Sequence, residues 1–173
     1  MDLGFFRARS LSTHWGVVNF FDPLMWEADE SPKTDRQTLM AFAWFLPHGV
    51  PPGLIEYMNH NTVMKIYGIL QKFQARKARF TPAWRRNPHF EITSPILPEV
   101  MVATWDHKAA HKVLAVVSNL QADKEARVAL RWKGFADPSI TDAMTGKLLA
   151  LSDGKLELKL LPESFALLWV ERA

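Results

Sequence analysis

The chain has no cysteine among its 173 residues. Disulfide frameworks and thiolate metal sites are therefore excluded, although the compartment is not, because secreted bacterial proteins often lack cysteine too. No apolar run approaches the ~18–20 residues that a membrane-spanning helix requires, so no membrane span is expected. Met1 is followed by Asp2 with no early apolar stretch, so no secretory leader is read here. An extracellular or periplasmic location would follow if a parent protein carries a signal upstream. The chain also lacks a P-loop, a dinucleotide-binding glycine fingerprint and a G-x-S-x-G elbow. There is no internal repeat and no low-complexity segment.

Hydrophobic residues make up 48% of the chain and charged residues 23%, a globular and not a disordered composition, with a net charge of only +3. Seven Trp and eleven Phe supply large apolar area, mostly for a core.

Two halves differ in period. In the first, His14-Trp15-Gly16-Val17-Val18 opens a short apolar stretch ending at Asp22-Pro23, and an acidic loop with Pro32 follows. Thr34-Asp35 can cap a helix in which Leu39, Phe42, Ala43 and Leu46 recur at helical spacing. Pro47-His48-Gly49-Val50-Pro51-Pro52-Gly53 breaks it, because proline lacks an amide donor and restricts the residue before it. Asn61 or Thr62 then caps a second helix with Val63, Ile66, Tyr67, Leu70 and Phe73 on one face, fading near Arg79 and ending by Pro82. Between Tyr57 and Phe90 there are seven Lys/Arg and no Asp/Glu. They are spread around the helix with no accompanying RNA-binding motif, which reads as a solvated polar face and not a nucleic-acid site.

From Phe90 the period becomes two. Strands are expected at Phe90–Thr93, Glu99–Trp105, Lys112–Ser118, Ala126–Trp132, Ser139–Asp142, Leu148–Leu151, Lys155–Leu160 and Phe165–Val170. Short strands with frequent turns indicate an antiparallel sandwich or barrel. Asp153-Gly154 is the clearest turn, a two-residue hairpin loop that needs positive φ. The domain boundary is placed between residues 87 and 88, after Phe80-Thr81-Pro82-Ala83-Trp84-Arg85-Arg86-Asn87, and the β half is expected to fold without the first.

The order of helix, Gly49-Val50-Pro51 element, long helix and antiparallel β domain resembles the end of a (β/α)8-barrel glycoside hydrolase followed by its C-terminal β-sandwich. The motifs are the D-x-x-T-G turn Asp142–Gly146, the L-x-L strand Leu156–Leu160 and the apolar last strand Phe165–Val170. The resemblance covers about Asp35 to Glu171. It implies an α+β fold in which residues 1–87 are a helical, irregular barrel remnant and residues 88–173 a β-sandwich. It implies Gly49-Val50-Pro51 as the last barrel strand, with the helix about Asn59–Arg79 closing the barrel. A full barrel needs ~250 residues, so most catalytic strands would lie elsewhere and no family acid or nucleophile maps onto this chain.

Hydrolysis of a glycoside needs two suitably spaced carboxyl groups. Asp22, Glu27, Asp29, Asp35 and Glu56 are available, none in a distinctive motif. His14, Trp15, Asp22, His48 and Glu56 are the candidates for a substrate-facing rim: Trp15 could stack on a sugar ring, and His48 and Glu56 flank the supposed last barrel strand. The bland readings are burial for Trp15, backbone bonding for His48 and solvation for Glu56. His107 and His111 flank a hairpin without further ligand spacing, so no metal is assigned; no cofactor is expected. The partner implied is carbohydrate, through the parent barrel, with the isolated chain inactive. Bare apolar faces on the two helices would offer a route to oligomers. The alternative is a non-catalytic carbohydrate-binding or protein-interaction sandwich.

Overall fold

A computed structural model describes residues 35–50 and 58–173. Helix α1 (Asp35–Phe45) places Asp35 in its first turn, where a carboxylate complements the positive end of the helix dipole. Thr38 and every residue from Ala41 to Phe45 are buried. A helix that is apolar on nearly all sides must be covered on nearly all sides. It runs into a 3-10 turn, Leu46–His48, closed by Gly49 at φ +67°. A Cβ on Gly49 would stand 2.5 Å from the Phe80 ring, so both backbone and packing require glycine there.

Helix α2 (His60–Phe73) starts two or three residues earlier than the spacing suggests. Asn59 is its cap, accepting from the Thr62 amide at 3.2 Å, while its own amide donates to Thr38 Oγ1 at 2.8 Å. The Thr62 hydroxyl donates to the Asp35 carboxylate, which ties the two helix starts together. Val63, Ile66 and Phe73 are buried as the period predicts. The helix ends at Phe73 and not near Arg79, because Gln74 turns left-handed at φ 58°. A short 3-10 turn follows, and Arg79–Thr81 becomes strand β1. β1 pairs with β3, Phe80 opposite Trp105, and their rings lie 4.9 Å apart. Three residues are too few to announce a strand by period; the partner decides.

The remaining strands are β2 (Phe90–Ser94), β3 (Val100–His107), β4 (Lys112–Asn119), β5 (Ala126–Trp132), β6 (Pro138–Asp142), β7 (Leu148–Leu149), β8 (Lys155–Leu160) and β9 (Ser164–Arg172). All pairings are antiparallel. They form a six-stranded sheet, β1-β3-β4-β9-β6-β7, and a three-stranded sheet, β2-β5-β8. The two sheets enclose one core, where Val100, Val102, Val113, Ala115, Val117, Leu168 and Val170 face Phe90, Val128, Leu130, Leu156 and Leu160. On the outer face of the larger sheet, Met101, Ala103, Trp105, Leu114, Val116 and Leu167 meet Phe42, Phe45, Val63, Ile66 and Phe73 of the helices. The result is three layers: helices, large sheet, small sheet.

Both turn motifs form as the residues imply. Asp153 and Gly154 sit at φ 51° and 70°, with Ser152 and Lys155 exchanging backbone hydrogen bonds across them at 2.9 and 2.8 Å. Asp142 Oδ1 accepts from the amides of Met144 (2.8 Å) and Thr145 (3.2 Å), and its carbonyl accepts from the Gly146 amide at 2.7 Å. An aspartate that opens a turn satisfies the amides two and three residues on, which is why this residue type starts the motif.

The α+β class holds. No (β/α)8 barrel is present among the described residues, and Leu46–His48, at the expected break after α1, is a 3-10 turn. The apolar helix faces expected to lie bare are covered by β3, β4 and β9. Residues 51–57, which include part of the Gly49-Val50-Pro51 element, fall outside the described residues.

Candidate functional site

A cleft of about 480 Å³ opens between the loop before β2 and the facing ends of β2 and β3. The loop is built by backbone bonds. Ala83 N donates to Pro47 O at 2.9 Å, pinning the loop to the 3-10 turn after α1, and Arg85 N donates to Pro82 O at 3.0 Å. Asn87 is the buried fastener. Its Oδ1 accepts from the His89 and Phe90 amides, both at 3.0 Å, and its Nδ2 donates to Thr104 Oγ1 at 3.2 Å. With three bonds made, its amide is well satisfied, as a buried polar side chain must be.

This loop holds Trp84 at the cleft with 44% of its surface exposed. One face of the indole lies against His48, with ring centres 5.9 Å apart and planes 24° off parallel. His48 itself is buried, and its Nδ1 is 2.7 Å from the Trp44 carbonyl. Arg85, Arg86 and Lys133 also line the cleft, and all three are exposed. Lys133 is positioned by its amide, which donates to His89 O at 2.8 Å. Among the described residues Glu91 is the one carboxylate of the lining, and Arg131 pairs with it at 3.8 Å. Phe90, Val100, Met101 and Val102 form the apolar floor, with Leu97 at the rim.

Beside the cleft, His89 Nε2 lies 3.0 Å from Asp106 Oδ2, and its ring stacks on Trp132 at 5.7 Å. This packing anchors the start of β2 against β3 and β5. His107 Nε2 is 2.9 Å from the Phe73 carbonyl at the end of α2, and His111 packs edge-on against Phe135. Among the described residues no three histidine or carboxylate side chains gather as a metal site.

Of the residues singled out in the sequence, His48 is at the cleft's edge, beneath Trp84. His14, Trp15, Asp22 and Glu56 lie outside the described residues. The sequence presents Trp84 as part of the boundary segment, and Arg85 and Arg86 as members both of that segment and of the basic run read as a solvated polar face. The signal that could have marked them is a tryptophan next to two arginines in a proline-bounded loop with no apolar period to bury it.

No protein-family model matches this sequence, and no curated protein is similar enough to match it. The fold does have solved counterparts. A candidate α-N-acetylgalactosaminidase from Bacillus halodurans superposes with a TM-score of 0.55 at 10% identity, over 82% of this chain and 33% of its own. A GH27 β-L-arabinopyranosidase from Geobacillus stearothermophilus gives 0.51 at 12% identity, over 81% and 31% respectively. A maltogenic α-amylase from Thermotoga neapolitana gives 0.50 at 14% identity, over 96% and 44%. The chain has the fold of the C-terminal portion of a glycoside hydrolase. It spans between about a third and under half of the length of these structures.

Proposed function

We propose that this chain is the C-terminal portion of a glycoside hydrolase-like protein and does not hydrolyse glycosides by itself. The observation that supports this best is the asymmetry of coverage: a GH27 enzyme matches over 81% of this chain but only 31% of its own. The chemistry of the cleft agrees. Acid–base hydrolysis needs a pair of carboxyl groups about 5 to 9.5 Å apart, and among the described residues the cleft lining offers one, Glu91, which pairs with Arg131. The β layers would then flank a catalytic part supplied by other sequence, and the cleft would border that part or its substrate.

The test compares two proteins. The purified 173-residue chain is expected to show no turnover of an aryl glycoside panel, while the product of the continuous reading frame that contains it hydrolyses at least one. Turnover by the short chain, abolished by Glu56→Gln, would make it an enzyme in its own right and overturn the proposal. A second reading, a non-catalytic carbohydrate-binding module, draws on the half-exposed Trp84. Against it, among the described residues Trp84 is the one aromatic side chain with large exposure, and the outer faces of β5 and β8 carry Arg127, Arg131, Lys155, Glu157 and Lys159 instead of an aromatic row.

A further inference from the structure

We propose that the cleft at Trp84 binds an acidic saccharide, a sugar bearing a carboxylate or sulfate group. This rests on the hydrolase reading above, in which the cleft borders the catalytic part or its substrate, and names the class of ligand.

Among the described residues of the lining, three cations, Arg85, Arg86 and Lys133, stand against one carboxylate, Glu91. Among the described residues those three cations make no ion pair, whereas the pairs that do form, such as Lys159–Glu125 at 2.9 Å, lie elsewhere. Glu91 is turned to Arg131, so the three cations keep their charge for a ligand. Arginine offers a planar fork that matches a carboxylate or sulfate with two parallel hydrogen bonds. An anionic substituent gains charge-assisted hydrogen bonds from these cations that are stronger than those a neutral hydroxyl accepts, so the lining favours an anion.

Trp84 supplies the apolar contact of the site. Its ring is held on one side by the buried His48 and the loop beneath is pinned at Ala83 and Asn87. A large aromatic that stays exposed and rigid presents a flat apolar platform at little cost in conformational entropy. The C–H face of a pyranose packs on such a platform while its substituents reach the rim. The volume of about 480 Å³ admits a mono- or disaccharide and falls in the ordinary range of small-ligand sites. Leu97 at the rim adds exposed apolar surface, and the cationic side chains give orientation.

The binding step is tested on the full 173-residue chain by calorimetry with three probes of matched length: an oligogalacturonate, a sulfated oligosaccharide and a neutral malto-oligosaccharide. At least one acidic probe is expected to bind, and more weakly as salt rises, because screening acts on the charged contacts. Arg85→Ala with Arg86→Ala should weaken it about tenfold or more, the loss of charge-assisted hydrogen bonds. Trp84→Ala should abolish it, and Trp84→Phe should retain part. Arg127→Ala with Lys147→Ala removes the same charge away from the cleft and should leave binding unchanged; an equal loss there would reveal diffuse attraction and overturn the site. The relative affinity of the carboxylated and sulfated probes distinguishes the two anion types. Neutral-probe binding as tight as that of the acidic probes would overturn the acidic assignment while leaving the carbohydrate reading intact. Failure of all three probes would overturn the cleft proposal, and the activity of the longer reading frame would still decide the hydrolase reading.

Discussion

The two sheets are built on different rules. In the small sheet, β5 and β8 alternate: Ala126, Val128 and Leu130 are buried and Arg127 and Arg131 are exposed, while Leu156 and Leu160 are buried and Lys155, Glu157 and Lys159 are exposed. In the large sheet, every residue from Val100 to Trp105 and from Val113 to Asn119 is buried. The difference is cover. The small sheet faces water on one side, and the large sheet is packed by the small sheet on one side and by the helices on the other. A near-continuous apolar strand means both faces are covered, so the runs in β3 and β4 report a third layer that alternation alone cannot announce.

The largest test of this contrast removes the third layer. A segment of residues 88–173 keeps the inner core but bares Met101, Trp105, Leu114, Val116 and Leu167 on the outer face. At ~1.5–3 kcal/mol for each large side chain returned to water, the loss is on the order of 7–15 kcal/mol, comparable with a domain's whole stability. The segment is expected to bind a hydrophobic dye and to unfold without a sharp transition. Cooperative unfolding near the full chain's midpoint would instead support a boundary at residues 87 and 88 with an independent β domain.

Next come paired truncations, one on each face of the large sheet. Phe45→Ala opens the helix–sheet core and Leu130→Ala the sheet–sheet core; both side chains are fully buried. Each should cost ~3–5 kcal/mol, in one shared denaturant transition if the three layers act as a unit. Two separate transitions, each sensitive to only one variant, would break the layers apart.

A smaller effect is expected at the two-residue turn that joins β7 of the large sheet to β8 of the small one. Gly154→Val should cost ~1 kcal/mol or more through backbone strain at φ 70°. A Cβ there meets nothing within 4 Å, so crowding adds nothing. An unchanged melting midpoint would show that the loop changes conformation freely.

The smallest is a titration on the helix side. Burial pushes the Tyr67 hydroxyl above its ordinary value of 10.0, because the charged form is poorly solvated beside Phe42. Its folded pKa exceeds its unfolded one, so its contribution is fully present below pH 10 and lost as pH rises through the folded value. Tyr67→Phe should flatten that part of the alkaline stability profile; an identical profile in the variant would remove Tyr67 as its cause.

The cleft was harder to read than the strands. Ala126–Trp132 and Lys155–Leu160 were legible to the residue because a one-sided strand writes its face into every second position. β1 was not legible, because Arg79–Thr81 has no pattern of its own and exists through its pairing with β3. Nor was the end of α2, where one left-handed residue overrides a continuing helical period. Trp84 looked like linker because its role depends on His48, thirty-six positions away in the chain.

What the residues determined by themselves is local. Period two from Phe90 onward, the Asp153-Gly154 loop and the Asp142 turn follow from side-chain alternation, positive φ and short hydrogen bonds, all acting within a few positions. What tertiary structure alone decided is long-range: that the helices lie on the outer face of the large sheet and form no barrel, that the order of strands is β1-β3-β4-β9-β6-β7, and that Trp84, Arg85, Arg86 and Lys133 line one cleft. Those arrangements depend on which apolar faces find each other, and burial is non-directional, so a face announces that it needs a cover but not which element will supply it.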